Sequence, residues 1–264
     1  DSFNIPKKLY GKTEAQTERF LKCFELRNKS TSILLVGEKG CGKTLLAQNI
    51  SKTSGFPVLF VNRPFNGDGF NTFLQQIDQP FVLLFDEFEK VYCDEDDQNG
   101  LLTLLEGVFS TNSINLFTSN SIYALNSYMK NRPGRIRYLI EFNGLTSDFV
   151  REYCEDKLKN TKHIDALVQI AGTFDKFNFD MMQALVEEVN LFDEVPSQAI
   201  EMLNIRQDFA AHSSYVIDHV TVDGTPLQRT QLHKTELNAS PLNQSFAIHI
   251  RDDEESDFER IEYN

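Results

Sequence analysis

A chain of 264 residues with 41% hydrophobic side chains is long enough for one large domain or two smaller ones, with apolar content sufficient for a sizeable core. Its net charge of −13, from 26 basic and 39 acidic side chains, argues against a stand-alone nucleic-acid binder, although a local basic patch stays open. No run approaches the about 18 apolar residues of a membrane span, no secretory signal is visible, and a chain opening on Asp1 rather than Met is expected to be part of a longer protein.

Residues 13–28 are predicted to form a helix with Thr17, Phe20, Leu21, Phe24 and Leu26 on its apolar face. A strand at 32–37 runs into Gly37-Glu38-Lys39-Gly40-Cys41-Gly42-Lys43-Thr44, and a helix over 43–54 turns Leu45, Leu46 and Ile50 inward and stops near Gly55. This is the pattern G-x-x-x-x-G-K-[ST] between a strand and a helix, which binds a nucleoside triphosphate. The glycines let the backbone reach conformations closed to other residues. The N–H groups of residues 38–43 can then close around phosphate oxygens, and the following helix adds the positive end of its dipole. Residues Gly37 to Leu45 are therefore the expected ATP cradle, with Lys43 over the β- and γ-phosphates and the Thr44 hydroxyl on Mg²⁺.

A short strand at 57–62, a loop at 63–70 and a helix to about Gln79 come next. Phe81 to Phe85 are apolar without a break, as a strand buried on both faces of a parallel sheet requires. Asp86 and Glu87 follow at its C-terminal end, where open α/β sheets place their ligands. Asp86 is expected to hold the Mg²⁺ and Glu87 to polarise the attacking water. Residues 93–100 read as an acidic loop, 100–110 as a helix, 114–117 as a strand ending in Thr118-Ser119-Asn120, and 136–142 as a fifth strand. The alternation predicts an α/β fold, a doubly wound parallel sheet, over residues 1–143.

Past residue 144 the strands stop. Helices at 146–159, 163–172, 178–191 and 196–203 predict a small helical domain over 144–205, with Ser147 and Asp180 as capping residues. Residues 206–264 read as a β-rich appendix with 5 basic and 11 acidic side chains and a hairpin signal at Asp223-Gly224. Phe246–Ile250 alternates apolar with polar, and so does the segment carrying Phe258, Ile261 and Tyr263. Cys23, Cys41, Cys93 and Cys154 form no C-x-x-C pair, which reads as reduced thiols in a cytoplasmic compartment. The five histidines have no metal-site spacing.

Taken in order, the phosphate loop, the Asp-Glu strand, the strand ending in Thr-x-Asn, Arg132-Pro133-Gly134-Arg135 and the helical segment resemble the AAA+ ATPases, and within them the AAA clade proper, over roughly residues 9–205. The resemblance implies a large P-loop domain with a helical lid. It implies that Asn120 is the sensor that bridges the γ-phosphate and the attacking water. It implies that Arg132 and Arg135 reach the nucleotide of a neighbouring subunit, so that the catalytic set Glu87, Asn120, Arg132 and Arg135 is complete only in a homo-oligomer, usually a hexameric ring. Phe65 with Gly67 matches the aromatic and glycine of a pore loop that grips protein substrates, but Asn66 is polar where an aliphatic is usual, and ordinary packing of Phe65 stays open. Asp94 to Asp97 is either a second pore loop or a solvated turn. Ser119 separates Thr118 from Asn120 where the family often has Thr-Asn directly. Phe177-Asn178-Phe179-Asp180 stands where other AAA+ clades carry a second sensor arginine, as is usual in the AAA clade. Tyr10-Gly11 resembles the segment that contacts adenine through its backbone, and the appendix has no family counterpart.

Two functions of different class remain. One is a Mg²⁺-dependent ATPase ring that remodels or unfolds a protein partner. The other is a nucleotide-dependent loader or motor on DNA, or a matchmaker for a replication or packaging complex; the charge weighs against it, and no basic patch interleaved with aromatics is visible. A third reading, a switch that binds ATP without turnover, sits poorly with an intact Lys43, Asp86 and Glu87. No membrane contact is expected.

Overall fold

The computed structural model describes residues 3, 5–27, 29–65, 67–105, 111–130, 132–174 and 176–205, and beyond these residues 215–216, 220–222, 225–226, 236–237, 246–251 and 258–263. Strands β1 (Thr31–Gly37), β2 (Val58–Phe60), β3 (Phe81–Phe85), β4 (Ser113–Ser119) and β5 (Tyr138–Phe142) form one sheet in the order β2-β3-β4-β1-β5, every pair parallel. The predicted α/β sheet is borne out. Because β1 lies beside β4 and β4 beside β3, the C-terminal ends of all three converge on one edge of the sheet, with Val36 opposite Ser119.

The strand sequences explain the layering. Side chains alternate between faces with period two. Leu34, Val36, Leu83 and Phe85 go to one face with Leu74, Leu101 and Phe117. Ile33, Leu35, Val82 and Leu84 go to the other with Phe20, Phe24, Leu46 and Ile50. Helices α1 (Thr13–Arg27) and α2 (Lys43–Ser54) cover the second face, while α3 (Gly67–Gln75), the single turn α4 (Phe88–Val91) and α5 (Glu95–Leu105) cover the first. Phe117 is wholly buried and lies flat against Phe85, ring centroids 4.5 Å apart. Phe117→Ala is expected to cost about 3–5 kcal/mol, measured as a lower urea midpoint at unchanged m-value.

Several boundaries differ from those predicted. Leu26 is 77% exposed, because a residue two positions after the buried Phe24 lies on the far side of a helix. The loop at 63–70 is shorter, since α3 already starts at Gly67. The predicted acidic loop at 93–100 is largely helix. Glu95, Asp96 and Asp97 occupy the first turn of α5, where carboxylates complement the positive end of the dipole. Gln98 fixes that turn, donating to the carbonyls of Tyr92 and Ala124 and accepting from the amide of Asn126. Residues 106–110, predicted helical, lie outside the described residues. Strand β5 begins two residues late because the amides of Arg135 and Ile136 both bond to the Arg132 carbonyl and hold that stretch in a turn.

Helices α6 (Ser147–Lys157), α7 (Ile164–Gly172), α8 (Phe179–Phe192) and α9 (Pro196–Met202) share a separate apolar cluster built from Val150, Cys154, Leu167, Leu185, Val189 and Ala199. Tyr10, from the N-terminal segment, belongs to the same cluster. The caps are Thr146 and Asn178, whose side chains accept from the amides of Phe149 and Met181; the predicted Ser147 and Asp180 sit just inside the helices. Beyond residue 205, β6 (Tyr215–Val216) pairs with β9 (Glu236–Leu237), and β7 (Thr221–Val222) pairs with β8 (Thr225–Pro226) on either side of Asp223-Gly224. Strands β10 (Phe246–Arg251) and β11 (Phe258–Tyr263) pair antiparallel over six residues each.

Candidate active site

The turn between β1 and α2 is backbone held against two other elements. Gly40 has φ +79°, and a Cβ there would come within 2.8 Å of Asp180 Cγ at the start of α8. A Cβ on Gly37 would come within 2.6 Å of the Phe142 carbonyl at the end of β5. Backbone excludes any side chain at Gly37, and the left-handed φ favours glycine at Gly40. The Phe179 amide donates to the Gly40 carbonyl at 3.1 Å, and Lys176 Nζ donates to Glu38 Oε1 at 2.7 Å. The segment leading into α8 therefore bonds directly to the loop.

Lys43 is 7% exposed; its ammonium donates to the Gly37 and Glu38 carbonyls at 2.7 Å each and to Asn120 Oδ1 at 3.1 Å. Burial pushes the Cys41 thiol up, and its Sγ lies 3.7 Å from Lys43 Nζ. Asp86 Oδ1 accepts from Thr44 Oγ1 at 3.0 Å and from Thr118 Oγ1 at 2.7 Å. Thr118 Oγ1 in turn accepts from the Glu87 amide at 2.8 Å. Glu87 sits at φ 49°, ψ 50°, a left-handed conformation that costs a non-glycine residue on the order of 1 kcal/mol or more. Its Oε1 accepts from Lys90 Nζ at 2.6 Å, and this bond above all holds the carboxyl below the usual carboxylate range, with Asn120 and Lys39 adding to it.

Hydrogen bonds from Lys43 to Asn120 and from Thr44 to Asp86 thus join three separate stretches of chain. Leu45 does not turn inward as predicted; it lines a neighbouring cavity. Arg132 and Arg135 belong to a different turn, anchored on Tyr128: the Arg132 guanidinium lies 5.5 Å from the ring centroid, and Arg135 Nη1 donates to the Tyr128 carbonyl at 2.7 Å. Sequence reasoning gave no role to Thr118, Glu89 or Lys90. Only their position at the ends of β3 and β4 could have signalled one. The oxygens of Thr44 and Asp86 suit Mg²⁺, a hard cation that takes one or two protein ligands and completes its shell with phosphate and water. No cluster of three or more His, Cys, Asp or Glu side chains among the described residues offers an all-protein metal cage.

Beside the loop opens a cavity of about 520 Å³, walled by Leu9 to Gly11, Gly42, Leu45, Gly144 and Tyr153. Its floor is pinned to α6. Tyr10 donates to Asp156 Oδ2 at 2.5 Å, Lys8 and Lys157 flank Asp156 at 3.4 and 3.0 Å, and the Gly11 amide donates to Glu152 Oε2 at 3.0 Å. Burial, then the Asp156 bond, pushes Tyr10 up to about 12. The Tyr10 bond first, then Lys157, pulls Asp156 down to about 2. The Asp156 contribution is complete above the ordinary carboxylate value and is lost as pH falls through about 2; that of Tyr10 is complete below about 10 and is lost as pH rises through about 12. The melting difference between the protein and Tyr10→Phe is therefore expected to be flat from about pH 5 to 9 and to shrink outside that window.

A parallel sheet whose first strand feeds a glycine-rich turn, with an acidic pair at the end of β3 and an asparagine just past the end of β4, defines a P-loop nucleotide-binding domain. Residues 33–143 match the family model described as ATPase family associated with various cellular activities (AAA). This chain carries an AAA+ ATPase domain. Over 187 residues, 61% of the chain, it is 29% identical to the peroxisomal ATPase pex1 of Schizosaccharomyces pombe, and it spans 19% of that protein's length. A chain of the E. coli MS115-1 HORMA:CdnC:Trip13 complex superposes with a TM-score of 0.55 at 15% identity, covering 75% of this chain and 90% of that one. The Thermotoga maritima RuvB Holliday junction branch migration motor superposes with a TM-score of 0.53 at 16% identity, covering 76% and 73%. At these identities the superpositions speak for the fold.

Proposed function

We propose that this chain is the ATPase module of a homo-oligomeric ring, hexameric as in its family, that hydrolyses ATP with Mg²⁺ and remodels a protein partner. Residues 1–143 form its nucleotide domain, 144–205 its lid and 206–264 an extension. The observation that carries the reading is a pair of hydrogen-bonded groups that meet at the phosphate loop: Lys43 with Asn120, and Thr44 with Asp86, Thr118 and the backbone of Glu87. Gly37 to Leu45 cradle the phosphates, and the cavity beside Tyr10 takes the nucleoside. Thr44 and Asp86 would hold Mg²⁺, which neutralises charge on the β- and γ-phosphates. Glu87 accepts a proton from water as the water attacks the γ-phosphorus, and the bond to ADP breaks. Arg132 and Arg135 of the adjoining protomer stabilise the charge on the phosphoryl group in flight.

Protein rather than DNA as the partner is favoured by the net charge of −13, which repels a polyanion. It is also favoured by the mounting of Phe65. The wholly buried Tyr92, one residue past α4, donates its hydroxyl to the Phe65 carbonyl at 2.7 Å, while the Phe65 side chain is 47% exposed and stacks on Phe70. Movement of the Glu87 turn would reach Phe65 through that bond. Phe65→Ala is expected to leave ATP turnover within about twofold and to lower unfolding of a tagged protein substrate about tenfold or more. Turnover stimulated by DNA, with a steep salt dependence, would favour the motor reading instead. Among the described residues no helix is long and apolar enough to cross a membrane. Free Cys23, Cys41, Cys93 and Cys154 fit a reducing, cytoplasmic setting.

A further inference from the structure

Glu89 lies two residues past the proposed base, on α4, and has no part in the mechanism above. Its Oε1 accepts twice from Asn120: from the backbone amide at 3.0 Å and from Nδ2 at 2.7 Å. Its Oε2 is buried and has no hydrogen-bond partner among the described residues. A carboxylate only accepts, so the amide nitrogen of Asn120 must face Glu89. The Asn120 carbonyl oxygen then faces Lys43 Nζ, 3.1 Å away.

We infer that Glu89 is a positioning residue for hydrolysis, which turns the Asn120 side chain so that it meets the attacking water with an acceptor oxygen. The inference rests on the proposed hydrolysis and deepens it. An acceptor in that place takes one hydrogen of the water and leaves the other for Glu87, which aims a lone pair at phosphorus. An NH₂ group turned the same way would compete with Glu87 for the water's lone pairs. Glu89 and Thr118 also clamp the site from opposite directions: Thr118 of β4 holds the amide of Glu87, and Glu89 of α4 holds the amide of Asn120. A simple structural tie would not need a carboxylate with one oxygen left unbonded in the interior.

The test uses the full chain and five proteins: the unmodified chain, Glu89→Ala, Glu89→Gln, Asn120→Ala and the double variant Glu89→Ala/Asn120→Ala. Two readouts are taken, steady-state ATP turnover and the ratio of affinities for ATPγS and ADP from displacement of a fluorescent nucleotide. Glu89→Ala is expected to lower kcat about 10- to 100-fold with KM within about threefold, and to shift the ATPγS/ADP ratio as Asn120→Ala does. The double variant should be no worse than Asn120→Ala, because Glu89 acts only through that residue. Glu89→Gln keeps a carbonyl acceptor and should retain at least about a third of the activity. If Glu89→Ala fails to fold, Glu89→Asp against Glu89→Gln decides, the shorter acid losing activity and the amide keeping it. An unchanged nucleotide ratio in Glu89→Ala, or losses that multiply in the double variant, would overturn the inference. Failure of the hydrolysis reading looks different: turnover of the unmodified chain would be absent or insensitive to Glu87→Gln, while the nucleotide ratio would still report on Glu89.

Discussion

Glu87→Gln is expected to lower ATP turnover at least 10²-fold while ATP affinity stays within about threefold, since a general base contributes about 10²–10⁴ to rate and little to binding. The change is nearly isosteric. It leaves the Glu87 amide bonded to Thr118 and the Asp86–Thr44 contact untouched, so phosphate and metal binding should survive. Phosphate release and nucleotide displacement, measured on one preparation, separate the two effects. The pH dependence follows from Lys90. Because the Lys90 bond holds the Glu87 carboxyl below its usual range, the base form persists to lower pH, and the acid limb of kcat lies below the ordinary carboxylate region. Lys90→Ala should move that limb up toward the ordinary value and leave the rate near neutral pH almost unchanged. Unaltered turnover in Glu87→Gln would remove Glu87 from its proposed role.

Arg132→Ala and Arg135→Ala are each expected to cost about 10³ in turnover, the lower end for arginine fingers. The structure gives a reason to look for their target on another protomer. Arg132 and Pro133 are exposed, and both guanidinium groups rest on Tyr128 rather than on the residues around Lys43. A head-to-tail contact between identical chains would bring this turn of one copy to the phosphate loop of the next. Mixing decides the matter. Lys43→Ala lacks a working cradle but has both arginines; Arg132→Ala has the cradle but lacks a finger. Each alone should be inactive, while an equal mixture should regain about a quarter of the interfaces by random assembly. A mixture as dead as its parts would argue that the arginines act within their own chain or not at all. Mass in solution with and without ATP supplies the matching assembly measurement.

How much of this could be read in advance varied by element for physical reasons. β1 and β3 were legible because a strand buried on both faces must be apolar without a break, and both are. The phosphate loop was legible because glycine spacing records where backbone must approach a ligand. The acidic stretch at 93–100 misled because charge suggests solvent, whereas at the first turn of α5 it satisfies a dipole, and the burial of Gln98 could not be foreseen. The caps slipped by one or two positions because Thr146 and Ser147, or Asn178 and Asp180, are chemically equivalent until the chain direction picks one.

The residues by themselves determined the ligand class, the parallel sheet and the acidic strand end, because each is written in short stretches whose spacing reflects local backbone geometry. Only the tertiary structure decided what those stretches do to one another. It put the N-terminal Tyr10 into the apolar cluster of α6–α9, tied Gly40 to α8, hung Phe65 on Tyr92 and bonded Asn120 to Glu89. These contacts join residues about 27 to 146 positions apart. At such separations a sequence records the side chain but not its partner, and the packing of strands and helices makes the choice.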